Sequence, residues 1–352
     1  MKEPTVNITN NILRQIAEID EFKGVWRAIG NLRPDRLHTL KKIATIESVG
    51  SSTRIEGAKM TDQEVEALLT GIDISSFQSR DEQEVAGYAE AINLVFDAYD
   101  QIPISENHIK QLHRVLLKYS SKDTRHRGEY KKLPNHVEAF EHNGKSLGVI
   151  FETATPFDTP MEMEALVSWT NRSFEQKDLH PLLIIAIFTV QFLAIHPFQD
   201  GNGRLSRILT TLLLMQNGYL YVPYSSMESI IEQNKEGYYL ALRKAQSTLG
   251  KGDAKLDAWL SFFLSCMKKQ KDNLSLKIER ERLMAKLPAL SSQILEVVKQ
   301  HGQVAISDIQ AITQANRNTI KVRLRELVND GYLIKQGKGK GTLYLFGEVS
   351  PF

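Results

Sequence analysis

Residues 196–207 read His-Pro-Phe-Gln-Asp-Gly-Asn-Gly-Arg-Leu-Ser-Arg, an imidazole, a carboxylate, two glycines, an asparagine and two guanidinium groups in one short stretch. Gly201-Asn202-Gly203 permits positive φ and lets successive backbone N–H groups converge on one point, as an anion requires. The apolar residues that follow, Leu205, Ile208, Leu212 and Leu213, have helical spacing, so the helix they predict begins at the glycines. Its unpaired N–H donors and its dipole then favour an anion at the same place. Arg204 and Arg207 lie in the first turn of that helix, where cations oppose the dipole, so their placement calls for an anion to offset it. Asp200 is a hard oxygen ligand of the kind Mg²⁺ uses when it also holds phosphates. His196, four residues earlier, is the natural general base for a hydroxyl nucleophile. Each feature has an ordinary reading by itself: Gly-Asn-Gly is a turn, and a histidine after an apolar helix is a core residue. Packing alone gives no reason for all of them to converge.

The elements that must hold this stretch are helical. Residues 35–48, 62–70, 82–100 and 105–119 carry apolar residues at helical spacing, and Thr61-Asp-Gln-Glu64 has the pattern of a capping box. Between about 125 and 160 glycines, prolines and asparagines break up short apolar runs, and Asn143-Gly144 before Ser146–Ile150 predicts a β-hairpin. Helices resume at about 161–175, 181–195, 203–217, 227–248 and 253–275. Residues 181–199 hold no formal charge but include Gln191 and His196, which predicts a helix buried inside a bundle rather than a membrane span. Lys268–Lys286 reads as a solvated helix end and linker. After Pro288, helices over 291–301, from a cap at Ser307 and over 316–330 precede two short strands around a glycine-rich tip, the order of a winged helix-turn-helix.

Forty-four basic against 42 acidic residues leave a net charge of +2, too near neutral to imply nucleic acid or membrane as a general partner of the whole chain, so any basic footprint must be local. One cysteine, Cys266, in an apolar stretch, rules out an intrachain disulfide and reads as buried filler. With no signal-peptide pattern at Met1-Lys-Glu-Pro, the expected location is the cytoplasm.

Residues 196–207 match every position of the Fic signature, His-x-Phe-x-(Asp/Glu)-Gly-Asn-Gly-Arg-x-x-Arg, and the resemblance to that family runs through most of residues 35–250, including Leu112-His113 and the hairpin. It implies a mainly α fold, a helical bundle with a β-hairpin flap, that transfers AMP from ATP to a Ser, Thr or Tyr hydroxyl of a target protein or of itself. In that reading His196 is the catalytic base and Asp200 holds Mg²⁺. Gly201, Asn202 and Gly203 form the anion hole for the α/β-phosphates, Arg204 and Arg207 meet the outer phosphates, and Phe198 anchors the loop in the core. Kinase-like relatives replace the second glycine and lose the final arginine, so Gly203 and Arg207 imply AMP transfer rather than phosphorylation. The hairpin, roughly 136–156, would align the target by strand addition, although Ala154-Thr155-Pro156 stands where relatives carry Pro-Pro. Asn234, Tyr238 and Tyr239 resemble residues near the adenine; tyrosines on a helix also serve as core.

Ser51-Ser-Thr-Arg-Ile-Glu-Gly57 would read as a polar loop or helix end, but it resembles the family's inhibitory motif, with Ser52, Glu56 and Gly57 in the matching places. A Glu56 carboxylate paired with Arg207 would stand where the γ-phosphate belongs. The organisation that follows is an N-terminal helical region with the inhibitory motif (1–104), a Fic core with following helices (105–280) and a winged helix (288–352). Family members often form homodimers. Some relatives with the inhibitory motif remove AMP instead of adding it. A basic patch at Arg317, Lys321, Arg323, Arg325, Lys335, Lys338 and Lys340 makes DNA or a protein the expected partner of the winged helix, and a DNA-binding regulator with an ancillary Fic domain is the rival reading.

Overall fold

A computed structural model of the chain describes residues 6–28, 34–71, 77, 79–140, 146–249 and 255–347, so the Asn143-Gly144 turn lies outside the described residues. The chain is mainly helical, in two compact units, 1–272 and 273–352. The first contains α1 (Asn10–Ala28), α2 (Pro34–Ile55), α3 (Asp62–Thr70), α4 (Arg80–Ala98), α5 (Glu106–Leu116), an antiparallel pair β1 (His136–Phe140) and β2 (Ser146–Glu152), α6 (Thr159–Gln176), α7 (Pro181–Ile195), α8 (Asn202–Gln216), α9 (Met227–Gln233), α10 (Lys235–Gln246) and the first half of α11 (Asp257–Lys286). The second contains the end of α11, then α12 (Ala289–His301), β3 (Gln303–Val304), α13 (Ile306–Thr313), α14 (Arg317–Asn329), β4 (Leu333–Gln336) and β5 (Leu343–Phe346), with strand order β3-β5-β4.

The middle of the first unit is the pair α7–α8. In α7, apolar on nearly every side, twelve of fifteen residues are buried; in α8 thirteen of fifteen are, Asn202, Arg204, Ser206, Arg207, Thr210 and Thr211 among them. Each fully buried Leu, Ile or Phe contributes about 1.5–3 kcal/mol, so this pair is the rigid platform on which the signature loop between them is mounted. α6 packs against α7, and the Trp259 indole of α11 donates to the Ala186 carbonyl at 2.7 Å. α4 approaches α5 so closely at Gly87 that a Cβ there would meet the Leu116 carbonyl. Among the described residues no helix is long and apolar enough to cross a membrane. Cys266 is buried and its thiol is pushed up to about 12 by desolvation, as filler should be.

The N-terminal helical region opens with α1, whose Ile12, Ile16, Ile19 and Phe22 are buried at helical spacing. Three local expectations are corrected. The stretch read as one helix over 227–248 is two, because Asn234 adopts φ −127°, ψ 44° between α9 and α10. The charged stretch to Lys286 is not a linker but the continuation of α11; Leu274 and Ile278, one turn apart, are buried, and its Lys, Glu and Arg are strong helix formers. The cap of α13 is at Ala305, whose N–H donates to Asp308 Oδ2 at 2.8 Å, and Ser307 lies inside the helix. In the second unit Ile294, Leu295, Val298, Val304, Ile309, Ile320, Leu324, Leu327, Leu333 and Tyr344 form a separate buried core.

Candidate active site

His196 ends α7 in the left-handed conformation, φ 52°, ψ 59°, with its N–H on the Phe192 carbonyl at 2.9 Å. Its Nδ1 is 3.3 Å from the Leu193 carbonyl; a carbonyl only accepts, so Nδ1 carries the proton and Nε2 keeps a lone pair. Burial drives the imidazole down to about 4, the Leu193 bond opposing it, so His196 is neutral and able to accept a proton at neutral pH.

The loop after His196 is held by residues far away in sequence. Phe198 is fully buried and stacks on His113 of α5, ring centroids 3.8 Å apart. The His113 ring takes the Gly128 N–H at Nδ1 (2.8 Å) and donates Nε2–H to the Asp200 carbonyl (3.0 Å), so protonation would set one N–H against another. Desolvation accordingly lowers His113 to about 4. Asn202 is buried and its amide closes the loop on itself, accepting from Phe198 N–H at 2.9 Å and donating to the Phe198 carbonyl at 2.7 Å. Its side chain is therefore a clasp, and only its backbone faces outward to an anion.

From below, the buried ammonium of Lys131 donates to Asn135 Oδ1, Thr153 Oγ1 and the Ile195 carbonyl at 2.8–2.9 Å, and Asn135 Nδ2 donates to the Phe198 carbonyl at 2.8 Å. This cluster ties both ends of the hairpin to the end of α7. Sequence reasoning missed Lys131 and Thr153 and met Asn135 only as turn punctuation beside Pro134.

Both histidines have folded values well below the ordinary 6.5 or so, so as pH falls the unfolded chain takes up protons first. Their contribution to stability is complete above about pH 6.5 and is lost progressively as pH falls toward 4. Each histidine accounts for about 2 kcal/mol between pH 7.5 and 5, at 1.4 kcal/mol per pH unit. A thermal melt series should show the midpoint falling over that interval; a flat profile would contradict the neutral, buried placement of both rings.

α8 begins at Asn202 behind Gly201, which has φ 78° and supplies no side-chain cap. Asn202, Gly203 and Arg204 thus present N–H groups with no intrahelical acceptor. The Glu56 carboxylate lies over them: a Cβ on Gly203 would run into it. Glu56 follows the last turn of α2 in a turn closed by Gly57, φ 107°. It accepts from Arg207 NH2 at 2.8 Å. Arg207, 5% exposed, also donates Nε to Ser52 Oγ at 2.8 Å and NH2 to the Ser52 carbonyl at 2.9 Å. Burial raises the Glu56 carboxyl, but Arg207, with Arg204 and His196 behind it, prevails and holds it below the usual carboxylate range.

Asp200 Oδ1 accepts from Gly201 N–H at 2.6 Å and Arg204 NH2 at 3.1 Å; Oδ2 is 3.2 Å from Arg80 NH2. Arg204, 2% exposed, is shared between Asp200 and Glu84, whose Oε2 is 3.0 Å away. Arg204 thus braces Asp200 rather than reaching outward. Arg80 and Glu84, paired one turn apart at the start of α4, complete the alternating ring, and nothing in their local sequence links them to Asp200. Among the described residues no three His, Cys, Asp or Glu cluster as a metal cage. A single half-exposed carboxylate fits Mg²⁺ that arrives with phosphates and keeps waters.

Tyr238 is buried and shares with Arg207 the wall of a cavity of about 20 Å³, with Thr210, Trp259 and Phe263. Desolvation pushes its hydroxyl up to about 12. Tyr239 packs edge-on against it at 5.2 Å, and Asn234 is exposed at the α9–α10 break with its amide over Gly237. The structure brings Tyr238, but not Asn234, to Arg207.

Residues 103–214 match the Fic/DOC family. Among curated relatives, the chain is 27% identical over 274 residues to a Drosophila grimshawi protein named protein adenylyltransferase Fic, covering 77% of this chain and 51% of that one. It is 29% identical over 261 residues to the Drosophila melanogaster protein of the same name, covering 74% and 48%. The chain spans about half the length of these relatives. Its fold is similar to a Fic family protein from Desulfovibrio desulfuricans G20, TM-score 0.63 at 22% identity over 98% of both chains. It is also similar to Fic-1 (residues 134–508) from C. elegans, TM-score 0.59 at 19% identity over 76% of this chain and 72% of that one. The signature loop, its neutral histidine and its anion cradle all lie within residues 103–214, the part of the chain that matches the Fic/DOC family.

Proposed function

We propose that this chain transfers AMP from Mg·ATP to a Ser, Thr or Tyr hydroxyl of a protein, its own chain included, and that Glu56 throttles the reaction. The observation that carries the reading is an anion cradle with an anion already in it: the Glu56 carboxylate over the start of α8 and on Arg207 stands in for a phosphate. The name shared by the curated relatives supports the same chemistry.

In this mechanism His196 Nε2 takes the proton of the attacking hydroxyl, the hydroxyl oxygen bonds to the α-phosphorus, and the bond to the bridging α–β oxygen breaks, releasing pyrophosphate. The N–H groups of Asn202 and Gly203 and the guanidinium of Arg207 oppose the charge that develops on the phosphates. Asp200 would hold the Mg²⁺ of the substrate, whose chemistry is to screen phosphate charge. The edges of the β1–β2 pair offer backbone groups to which an extended target segment can add. The C-terminal unit we read as a winged helix that brings a second macromolecule to the enzyme. Intact mass of the chain after incubation with ATP and Mg²⁺ tests the reaction: a gain of AMP is expected, and a gain of phosphate alone overturns it.

The brake is held by a neighbour that touches no site group. Arg54, two residues before Glu56, grips Glu232 of α9 with two bonds, 2.7 and 3.0 Å, and also donates to the Met60 carbonyl (2.9 Å) and Ser51 Oγ (3.2 Å). It lies 2.9 Å from Asp62 as well. The end of α2 is thereby fixed on both sides. Because this pair is partly exposed, about 1 kcal/mol is at stake. Arg54→Ala should therefore raise self-labelling with ATP roughly fivefold, and should add nothing in a Glu56→Gly background. Additive effects of the two changes would show that Arg54 does not act through Glu56.

A further inference from the structure

The positive excess of the chain is confined to its end. Residues 288–352 carry eight basic and five acidic residues, whereas residues 1–287 carry 36 and 37. Within the second unit the basic residues are not scattered. Ile320, Leu324 and Leu327 turn one side of α14 into the core, and Arg317, Lys321 and Arg325, at i, i+4 and i+8, lie in a row on the exposed side. Asn318 and Val322 are exposed beside them. Among the described residues none of the three is in an ion pair, whereas Arg323, on the flank, is neutralised by Glu326 at 2.7 Å.

The start of α14 is open. Asn316 caps it by accepting the Asn318 N–H at 2.9 Å, and Arg317, Asn318 and Thr319 of the first turn are all exposed. β4 packs against α14 and leads to a tip bearing exposed Lys335 and Lys338. That tip is a set shape: Gly337 has φ 84° and a Cβ on it would strike the Gly341 carbonyl. Two basic rows, one on a helix and one on a hairpin, suit a ligand with two parallel lines of negative charge.

We propose that the second unit binds double-stranded DNA, with α14 in the major groove and the β4–β5 tip against the adjoining backbone. The major groove admits one α-helix, and there arginine and asparagine have matching two-bond partners on guanine and adenine. Arg317 and Asn318 are placed to read bases, while Lys321, Arg325, Lys335 and Lys338 neutralise phosphates. An acidic protein surface could pair Arg317 with a carboxylate, but it would not set two parallel lines of negative charge opposite the helix row and the hairpin row or give Asn318 an adenine edge. The inference is independent of the AMP-transfer reading.

The test uses the full chain and a fluorescent mixed-sequence duplex, titrated by anisotropy at several KCl concentrations. Neutralising about four phosphates predicts a log–log salt slope near −4. Replacing Arg317, Lys321 and Arg325 together by Ala should flatten the slope by about 2, from the two phosphate contacts, and weaken low-salt binding at least tenfold. All three side chains are exposed, so the melting temperature should hold; Arg325→Gln alone, flattening the slope by about 1, serves if it does not. No duplex binding at low salt, or a slope untouched by these changes, overturns the proposal. So does polyglutamate competing as well as the duplex at equal charge, which would point to an acidic protein instead.

Discussion

Replacing Glu56 by Gly is expected to raise self-AMPylation by about 10- to 100-fold. The carboxylate makes a charge-assisted bond with a buried arginine and covers the open start of α8. Such bonds are worth about 1.5–3 kcal/mol, and each 1.4 kcal/mol is a factor of ten. The substitution leaves the rest of the cradle standing, because Ser52 still accepts from Arg207 Nε and NH2 at 2.8 and 2.9 Å. It does strip a buried guanidinium of its counter-charge, so the variant should melt lower than the parent without nucleotide and recover more on adding Mg·ATP. Labelled-ATP incorporation and the two melts check both halves, and equal labelling of parent and variant would remove Glu56 from the mechanism. Mild acid should not mimic the substitution. Glu56 is held below the usual carboxylate range, so its pairing is complete above that range and fails only as pH falls through the lowered value.

His196→Ala in the Glu56→Gly background is expected to reduce AMP transfer by about 10²- to 10⁴-fold, the usual contribution of a positioned base. The neutral Nδ1–H tautomer leaves Nε2 as the accepting atom, and no other imidazole can replace it: His113 has Nδ1 on the Gly128 N–H and Nε2 on the Asp200 carbonyl. His196 occupies a left-handed backbone position, where Ala is strained and Asn is tolerated. His196→Asn therefore separates a lost base from a disturbed loop: it should keep the melting temperature and the nucleotide-dependent shift yet lose transfer as fully as Ala. Retention of a tenth or more of the rate by the Asn variant would assign the proton to another group.

How much of this was legible beforehand follows from the range of the interactions involved. Residues 196–207 could be read because a glycine turn, a helix start and the groups that serve an anion are local, fixed by the chain's own periodicity. α7 and α8 were legible for the same reason. The brake was half legible: Ser52 and Glu56 stand four residues apart, Ser52 in the last turn of α2 and Glu56 just past it, but their 155- and 151-residue separations from Arg207 are closed only by folding. The Arg80–Glu84–Arg204–Asp200 ring, the Lys131 cluster and the Arg54–Glu232 grip left no such trace. Each is closed by at least one pairing of ordinary polar residues 22 to 178 positions apart.

By itself, then, the sequence determined which groups could do the chemistry and roughly where helices would hold them, since spacing along a helix is a short-range property. Tertiary structure alone decided which of those groups face an anion. It turned Asn202 inward as a clasp, gave Arg204 to two carboxylates, and left Arg207 with the helix start to meet the charge. The physical reason is burial: a guanidinium or amide removed from water must be satisfied by whatever the fold places beside it, and that neighbour is set by packing rather than by position in the chain.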